Sequence, residues 1–582
     1  MFVKIVCTIG PASEKYEVLR AMAEAGMNVA RLNFSHGDYE GHERKLNLVR
    51  RVERDLDVPI AALLDTKGPE IRTGEVENGE IALQMGSSVV LTTAPCLGTP
   101  ERVHVNYPLL AREVVPGQSV FIDDGTLHLD VEKVEGDDVL CRVVVGGPLR
   151  NTKGVNIPGA AVSLPALSEK DKEDIAWGVR QGMEYLAVSF VKTKSDILEV
   201  RKLLKRLGGS MKIIAKIETR EAVANIEEIA GAADGMMIAR GDLGVEIPTE
   251  DVPLAQKRII ELCRSHGKVV IVATQMLDSM IRNPRPTRAE ANDVANAVLD
   301  GTDAVMLSGE TASGAYPVES VATMRRIVDR AEQELEVWGL HCRARCSVTG
   351  VPDAVSDAAV LISRETGASA IISLTKSGTT ARMISKHRPS CPILGLTPSQ
   401  TIWRELALWW GVRPVKFHEL TDISAAAREA VSICVRTGRI RKGELVVITG
   451  GVPVGLSGTT NMVEVLTTGE ILLSGISLVR KNAAGKVCVV RDIQKEEGKI
   501  ADGCVLVVRG LTGEYKSVLG KVGAVVSENG VSSSEGNMLA MEYDVPCIVG
   551  ASDALSTLTD GMEVTVDGMR GLVYDGQVKL VI

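Results

Sequence analysis

Three ionisable residues in the middle of the chain could together carry out phosphate chemistry. Lys216 and Glu218 end one apolar run, and Asp242 follows the next run, directly after Arg240 and Gly241. Carboxylates are ligands that Mg²⁺ takes when substrate oxygens complete its shell, and an ammonium group neutralises charge on a phosphoryl group in transfer. Each residue alone would usually be a solvated charge or a surface ion pair. Together, at adjacent strand ends, they predict a site for a divalent metal and an anionic phosphate ester.

The composition favours a multidomain enzyme that does not bind nucleic acid. At 582 residues the chain exceeds what one hydrophobic core supports, so about three to five domains are expected. A net charge of -9 and 3% aromatic residues leave neither a basic face nor a base-stacking platform. Eleven scattered Cys and no secretory leader predict reduced thiols in the cytoplasm, and no run is apolar enough to span a membrane.

A short cluster of metal-ligand residue types occurs at His341, Cys342 and Cys346. A structural zinc site takes four ligands, usually as two pairs. No second pair accompanies these three residues, so the sequence argues against a metal site there.

Eight short apolar runs alternate with amphipathic helical stretches and predict the elements that position the candidate residues. The runs span 3–9, 28–32, 59–64, 185–190, 212–217, 235–239, 269–274 and 304–307. Strands that are apolar along their whole length are typical of parallel sheets covered on both faces, and eight βα units predict a closed (β/α)8 barrel. Polar residues that follow the runs would meet at the catalytic rim, where the carboxyl ends of the strands lie.

Two further regions interrupt or follow the barrel pattern. From 69 to 165, alternating strands with turn signals predict an inserted all-β domain that leaves the barrel at its catalytic end and could act as a lid. From about 356, a second α/β series begins, with strands predicted at 370–374, 393–396 and 445–448. It carries a polar loop that could bind an anion or merely cap a helix, namely Thr375, Lys376, Ser377, Gly378, Thr379 and Thr380.

Several long motifs, in the correct order, resemble those of the pyruvate kinase family. They span 28–37, 64–72, 216–218, 239–244, 273–280 and 306–312, and the similarity extends from the first residues to about Leu472. The family's layout is a (β/α)8 barrel with an inserted lid domain and a C-terminal α/β regulatory domain, which agrees with the pattern above. We expect the barrel at 1–68 and 166–340, the lid at 69–165, the regulatory domain at 341–473 and an additional domain at 474–582.

The resemblance implies transfer of the phosphoryl group of phosphoenolpyruvate to ADP, which gives pyruvate and ATP in glycolysis. Glu218 and Asp242 would hold one magnesium ion, and a second would arrive with the nucleotide. Lys216 would stabilise the transferring group and the enolate oxygen. Thr274 and the backbone amides of Gly241 and Asp242, at a predicted helix start, would bind the substrate carboxylate.

Arginines and lid residues complete the implied substrate site. Arg31 and Arg72 would contact the phosphoryl group, and Arg72 would also face ADP. Asn33, His36 and Lys153 match nucleotide-binding positions of the family.

The resemblance also implies a potassium site. Asn33, Ser35, Asp65 and the backbone of Thr66 match the family's potassium ligands. Glu70 is the residue type that accompanies potassium dependence in the family, where a lysine would supply the positive charge itself. We therefore expect activation by potassium.

The loop from Thr375 to Thr380, together with Gly451 to Thr459, resembles the phosphate cradle of the family's allosteric site. Its effector could be a sugar phosphate or a nucleoside monophosphate, and the residues do not decide between them. Members of the family are usually tetramers, so a homotetramer is expected here.

After Gly475 the chain resembles the mobile phosphohistidine domain of phosphoenolpyruvate-utilising enzymes, a swivelling β/α domain. Strands are predicted at 486–490, 504–508 and 524–527. Where that domain carries Thr-Ser-His, this chain has Ser533, Ser534 and Glu535. A glutamate cannot act as a stable phosphohistidine carrier, so we expect a structural or regulatory remnant without phosphotransfer.

Three other activities were weighed against the kinase. A magnesium-dependent barrel lyase or aldolase acting on pyruvate or oxaloacetate would share the metal and carboxylate site, but would not need the loops of Arg31 and Arg72 or a lid. A phosphoenolpyruvate synthase or dikinase would need the missing histidine. A non-catalytic scaffold would tolerate loss of Lys216, Glu218 or Asp242, which are all present.

Overall fold

A computed structural model describes residues 2–123, 125–160, 163–337, 348–418, 423–451, 460–530 and 535–580. The chain forms two compact units, Met1–Thr349 with Lys376–Ser390 and Thr397–Lys416, and Gly350–Thr375 with Cys391–Leu396 and Phe417–Ile582. Three groups of residues singled out above lie outside the described residues: His341, Cys342 and Cys346; 452–459; and Ser533 with Ser534.

The first unit contains the predicted barrel. Eight parallel strands close on themselves, and all eight predicted strands are confirmed. They are Lys4–Thr8, Val29–Asn33, Ala61–Asp65, Tyr185–Val188, Lys212–Ile217, Gly235–Ala239, Val269–Ala273 and Ala304–Leu307. Most of their residues are buried, because the strands pack on side chains inside the barrel and on helices outside it. The fourth strand is shorter than predicted and ends at Val188.

Helices connect these strands and cover the barrel. Their bounds are Tyr16–Ala25, Tyr39–Leu56, Glu169–Arg180, Lys194–Arg206, Arg220–Ala224, Ile226–Ala232, Arg240–Glu246, Val252–Ser265, Arg288–Asp300, Gly309–Ala312 and Pro317–Val337. Capping boxes at Ser168 and Thr287 satisfy the free amides at two helix starts. The same unit also contains the helices Thr379–Lys386 and Gln400–Glu405 and the strand Val412–Lys416.

The segment between the third and fourth barrel strands is an all-β insertion, as predicted. A six-stranded sheet contains Ser88–Thr92, Arg102–His104, Ser119–Ile122, Leu127–Glu135, Asp138–Val145 and Val155–Asn156, and a two-stranded sheet pairs Glu80–Leu83 with Gly147–Arg150. One short helix, Leu110–Glu113, lies among them. The insertion has its own apolar core, so it is a domain in its own right.

The second unit begins with an α/β series. Strands Ala370–Leu374, Ile393–Thr397 and Leu445–Gly451 are confirmed, and Thr460–Thr467 pairs antiparallel with the last of them. Helices Val351–Thr366 and Ile423–Arg436 accompany them. This is the α/β domain predicted after the barrel.

The C-terminal segment forms an eight-stranded mixed sheet in the same unit. The strands are Ile471–Ser474, Ile476–Val479, Asn482–Val490, Val505–Val508, Ala524–Ser527, Cys547–Val549, Glu563–Asp567 and Leu572–Asp575. Short helices Ile493–Glu496, Lys516–Leu519, Glu535–Glu542 and Ala554–Thr557 connect them. Near the end of the chain, Lys579 N donates to the Gly443 carbonyl over 2.8 Å and Thr467 Oγ1 donates to the Lys579 carbonyl over 2.9 Å. The last segment therefore contacts the α/β domain.

Candidate functional site

Lys216 lies at the centre of a buried cluster at the carboxyl ends of the barrel strands. Its ammonium nitrogen is 2.8 Å from Glu218 Oε1, 3.2 Å from Asp65 Oδ1 and 2.8 Å from the hydroxyl of Ser189. Glu218 is 1% exposed and Asp65 is fully buried. Three strand ends thus meet here: the fifth strand brings Lys216 and Glu218, the third brings Asp65, and the fourth brings the Ser189 hydroxyl.

The charges in this cluster hold each other in their ionised forms. Burial by itself would lower the pKa of Lys216, but Asp65, Glu218 and Asp242 outweigh that effect and raise it above the ordinary lysine value. Burial would likewise raise the pKa of Asp65, but Arg31 and Lys216 outweigh it and lower the pKa. At neutral pH the site therefore contains a protonated lysine and an ionised aspartate.

Arg31 joins the cluster from the second strand. Its Nε donates to Asp65 Oδ2 over 2.6 Å, and its Nη1 donates to Thr8 Oγ1 over 2.8 Å. The side chain is 8% exposed, so its charge is placed by fixed partners on the first and third strands. Because the guanidinium is already fixed, binding of a phosphoryl group costs little further side-chain entropy.

Glu218 is held from both sides. Lys216 contacts its Oε1, while Phe190 N donates to Oε2 over 2.7 Å.

Asp242 lies in the first turn of the helix Arg240–Glu246, as the sequence predicted, and lines the same cleft as Phe190. The carboxylates of Glu218 and Asp242 are hard oxygen donors of the kind that suit magnesium.

The described residues contain no group of three or more His, Cys, Asp or Glu arranged to hold a metal ion. The two carboxylates of Glu218 and Asp242 are a donor set of the kind that fits a magnesium ion whose shell is completed by substrate oxygens and water.

Thr274 lies just after the seventh strand in a strained backbone. Its φ is +65° and that of Gln275 is +54°, values that cost energy for residues other than glycine. Arg240 Nη2 donates to the Thr274 carbonyl over 2.9 Å, and Asp293 holds Arg240 at 2.7 Å. The hydroxyl of Thr274 accepts from Gly241 N over 2.8 Å. The Gly241 amide and Thr274 are both predicted to bind the substrate carboxylate, and the structure shows them hydrogen-bonded to each other.

The predicted potassium ligands converge near Asp65. Asn33 is the last residue of the second strand, and its Oδ1 accepts from Ser35 N over 3.1 Å. Thr66 follows the third strand and is 1% exposed. Asp65 Oδ1 has no hydrogen-bond partner among the described residues, although it faces Lys216. A buried carboxylate whose nearest partner is the Lys216 ammonium group, beside oxygen-bearing side chains, is a donor type that suits a cation.

Two of the four predicted nucleotide residues, Arg72 and Lys153, line a cleft of about 660 Å³ between the inserted domain and the barrel, whereas Asn33 and His36 are not among its lining residues. Arg72 Nε is 2.5 Å from Glu70 Oε2, and Lys153 Nζ is 2.9 Å from Asp123 Oδ1. His36 is exposed in the loop after the second strand. Two cationic side chains of the inserted domain thus face a volume that suits a nucleotide.

The residues of the predicted effector loop belong to two different units. Thr375 follows the strand Ala370–Leu374 in the second unit. Lys376 to Thr380 belong to the first unit, where Gly378 has a φ of +79° and precedes the helix Thr379–Lys386. Ser377 Oγ lies 3.0 Å from Thr379 Oγ1. Hydroxyl groups therefore gather at this helix start, as the sequence predicted.

Comparisons with known proteins agree with this geometry. Residues 2–321 match the family model of the pyruvate kinase barrel domain, 353–466 match the pyruvate kinase alpha/beta domain, and 500–571 match the mobile domain of PEP-utilising enzymes. The chain is 47% identical to a pyruvate kinase of Geobacillus stearothermophilus and 45% identical to one of Bacillus licheniformis, each over 99% of both chains.

A solved pyruvate kinase from Cryptosporidium parvum has the same fold. It is 37% identical, superposes with a TM-score of 0.76, and covers 80% of this chain and 96% of its own. The 47% and 45% identities over 99% of the chain, together with matches to both pyruvate kinase domain models, show common descent. The chain belongs to the pyruvate kinase family.

Proposed function

We propose that this protein transfers the phosphoryl group of phosphoenolpyruvate to ADP and releases pyruvate and ATP, as a glycolytic kinase. The observation that carries the proposal is the Lys216 ammonium group, 2.8 Å from Glu218 and 3.2 Å from Asp65 at the rim of the barrel. Phosphoryl transfer needs positioning and charge stabilisation more than covalent catalysis. A protonated lysine fixed by buried acidic side chains supplies that charge without rearrangement.

Each charged residue has a proposed task. Glu218 and Asp242 would hold a magnesium ion, which when bound neutralises charge on phosphoryl and enolate oxygens. Lys216 and Arg31 would stabilise the transferring phosphoryl group from the barrel side. Thr274 Oγ1 would lie against the substrate carboxylate, beside the Gly241 amide, and would serve in the relay that delivers a proton to the enolate.

The cleft under the inserted domain would bind the nucleotide, with a second magnesium ion. Arg72, Lys153, His36 and Asn33 would contact ADP, and Arg72 would reach the transferring group as well. The lid would exclude water from the reaction when it closes, because water would otherwise compete with ADP as acceptor.

A coupled assay tests the proposed reaction. With phosphoenolpyruvate, ADP, magnesium and potassium present, pyruvate and ATP should appear in equal amounts. A magnesium-dependent lyase or aldolase would instead consume pyruvate or oxaloacetate without ADP. Failure to form ATP from these substrates, while oxaloacetate is turned over, would contradict the proposal.

Potassium should activate the enzyme. The proposed ligands are Asn33, Ser35, Asp65 and the carbonyl of Thr66, and we expect turnover in tetramethylammonium buffer to rise on addition of potassium. Full activity in buffer free of both sodium and potassium would contradict this expectation.

Substitutions of Glu70 test the potassium requirement more directly. Its Oε2 contacts Arg72 Nε at 2.5 Å and Lys67 Nζ at 3.8 Å. Glu70→Lys should lower the dependence on potassium because it adds positive charge. Glu70→Gln is the matched control, since it removes the same ion pairs without adding a charge.

The C-terminal domain should carry no phosphoryl group, although it matches a phosphoenolpyruvate-utilising domain. Glu535 stands in the place of the histidine, at the start of the helix Glu535–Glu542. After incubation with phosphoenolpyruvate, mass spectrometry under alkaline conditions that preserve phosphohistidine should find no adduct in 474–582. A phosphohistidine peptide standard sets the detection limit, and an adduct above it would show that the domain transfers phosphate.

Regulation and assembly are extensions of the same proposal. The hydroxyl-rich loop of Thr375 to Thr380 would bind the phosphate of an allosteric effector, either a sugar phosphate or a nucleoside monophosphate. A homotetramer would couple regulatory domains to barrels, and the cytoplasm would be its location. Within the described residues, every helix is too short or too polar to span a bilayer.

A further inference from the structure

Ser189 is a buried residue that the proposed function does not use. It follows the fourth barrel strand directly and is 2% exposed. Its hydroxyl donates to the Thr66 carbonyl over 2.7 Å and accepts from Lys216 Nζ over 2.8 Å. A serine hydroxyl has one donor and two acceptor positions, so both bonds can form at once. Ser189 therefore joins a proposed potassium ligand to the central ammonium group.

The backbone around Ser189 strengthens this connection. Ser189 N donates to Thr66 Oγ1 over 3.1 Å, and the next amide, Phe190 N, donates to Glu218 Oε2 over 2.7 Å. Phe190 adopts a φ of +54°, which is unfavourable for an aromatic residue. Strain of this kind persists only where surrounding contacts fix the conformation.

Close packing holds the segment against the loop after the third strand. A Cβ atom built on Gly68, whose φ is +73°, would lie only 2.8 Å from Ser189 Cβ and from the Phe190 ring. The two loops are thus so close that a glycine is needed between them. Movement of Ser189 would have to displace the Thr66 loop as well.

We propose that Ser189 is a positioning residue that couples the cation-binding carbonyl of Thr66 to the orientation of the Lys216 ammonium group. The part that concerns the cation depends on the potassium site of the proposed function. The part that concerns Lys216 depends only on the proposed role of that lysine.

The hydrogen-bond count explains how the coupling works. The Lys216 ammonium group has three protons and three acceptors close to it, on Ser189, Glu218 and Asp65. Removal of the serine hydroxyl leaves only the two carboxylates, so the ammonium group turns toward them and away from the bound phosphoryl group. The Thr66 carbonyl also loses the donor that fixes its direction, which weakens its hold on a cation.

The test compares Ser189→Ala with Ser189→Cys and a matched control. Cysteine nearly preserves the volume but is a weak hydrogen-bond donor and acceptor. Ser320→Ala is the control, because Ser320 is also fully buried and donates to a backbone carbonyl, that of Tyr316, over 2.7 Å, in a helix outside the site. For each variant, kcat, the KM for phosphoenolpyruvate and the potassium concentration for half-maximal activity are measured, along with the unfolding temperature.

We expect Ser189→Ala to lower kcat about 10- to 100-fold and to raise the half-activating potassium concentration about tenfold, because loss of a hydrogen bond that orients a metal ligand has effects of this size. The KM for phosphoenolpyruvate should change little, Ser189→Cys should fall between alanine and the unaltered enzyme, and Ser320→Ala should keep normal values. If Ser189→Ala does not stay folded, the same kinetic measurements on Ser189→Cys test the proposal.

Three outcomes would overturn all or part of the inference. A kcat within twofold of the unaltered enzyme would show that Ser189 does not position Lys216. A lower kcat with an unchanged potassium requirement would show that it does not act on the cation site. If the unaltered enzyme needs no potassium, the potassium proposal and the coupling both fail, while kcat of Ser189→Ala still decides the role toward Lys216.

Discussion

Replacement of Lys216 by methionine is expected to lower kcat by about 10³-fold or more, with little change in substrate affinity. Methionine fills much of the same volume but has no charge to oppose the phosphoryl group and the enolate oxygen. An interaction that is made mainly in the transition state lowers kcat and kcat/KM together when it is lost. Steady-state kinetics in the coupled assay, with binding of phosphoenolpyruvate measured separately, check this result.

Stability needs a separate control, because Lys216 neutralises two buried carboxylates. Removal of one partner of a buried ion pair costs about 3–5 kcal/mol, so thermal unfolding of the variant should be recorded with and without ligands. Lys212→Met is the matched variant: Lys212 begins the same strand, at the opposite end of the barrel, and its Nζ lies 3.8 Å from Glu405 Oε2. Lys212→Met should turn over almost normally. A folded Lys216→Met enzyme with near-normal turnover would reject the role of Lys216.

Glu218→Gln is expected to have the second-largest effect, a loss of about 10²- to 10³-fold in kcat/KM together with a higher magnesium requirement. The amide oxygen can still accept from Phe190 N, whose bond to Glu218 is 2.7 Å long. The negative charge that would bind magnesium, and that faces Lys216, is lost. Magnesium titrations at fixed phosphoenolpyruvate and ADP measure both effects.

Glu227→Gln is the control for this change. Glu227 lies in the helix Ile226–Ala232 and is exposed, with only a 3.6 Å contact to Arg258. A surface pair of this kind contributes little, so the control should keep the normal magnesium curve. If Glu218→Gln gave the same curve as Glu227→Gln, the assignment of Glu218 to the metal would be wrong.

The barrel could be predicted from the sequence because its strands are buried on both faces. Continuous apolar runs such as 235–239 and 304–307, repeated eight times in alternation with helices, are typical of a parallel sheet covered on both faces. The polar residues at their carboxyl ends, including Lys216 and Asp242, are therefore predicted to lie at one rim of the barrel. The inserted β domain followed from its change of pattern and its turns.

Features that depend on contacts between distant segments could not be predicted from the sequence. The run 185–190 is apolar except for Ser189, and it predicts a strand through Phe190. The chain instead leaves the strand after Val188, because Ser189 bonds to Thr66 and Phe190 N bonds to Glu218. The local signal for Ser189 is that it is the one polar residue near the end of that run. Similarly, the positive φ of Thr274 depends on Arg240, which no periodicity reveals.

The paired pKa shifts of Lys216 and Asp65 have a consequence for acid and base titration. Lys216 keeps its proton beyond the ordinary lysine value of about 10.4, and Asp65 stays ionised below the ordinary aspartate value of about 3.9. Their contribution to stability is therefore complete near neutrality; that of Lys216 is lost only in strong alkali and that of Asp65 only in strong acid. A rate profile with an inflection near pH 6, where the second ionisation of phosphate esters falls, would therefore not report a change in these two side chains.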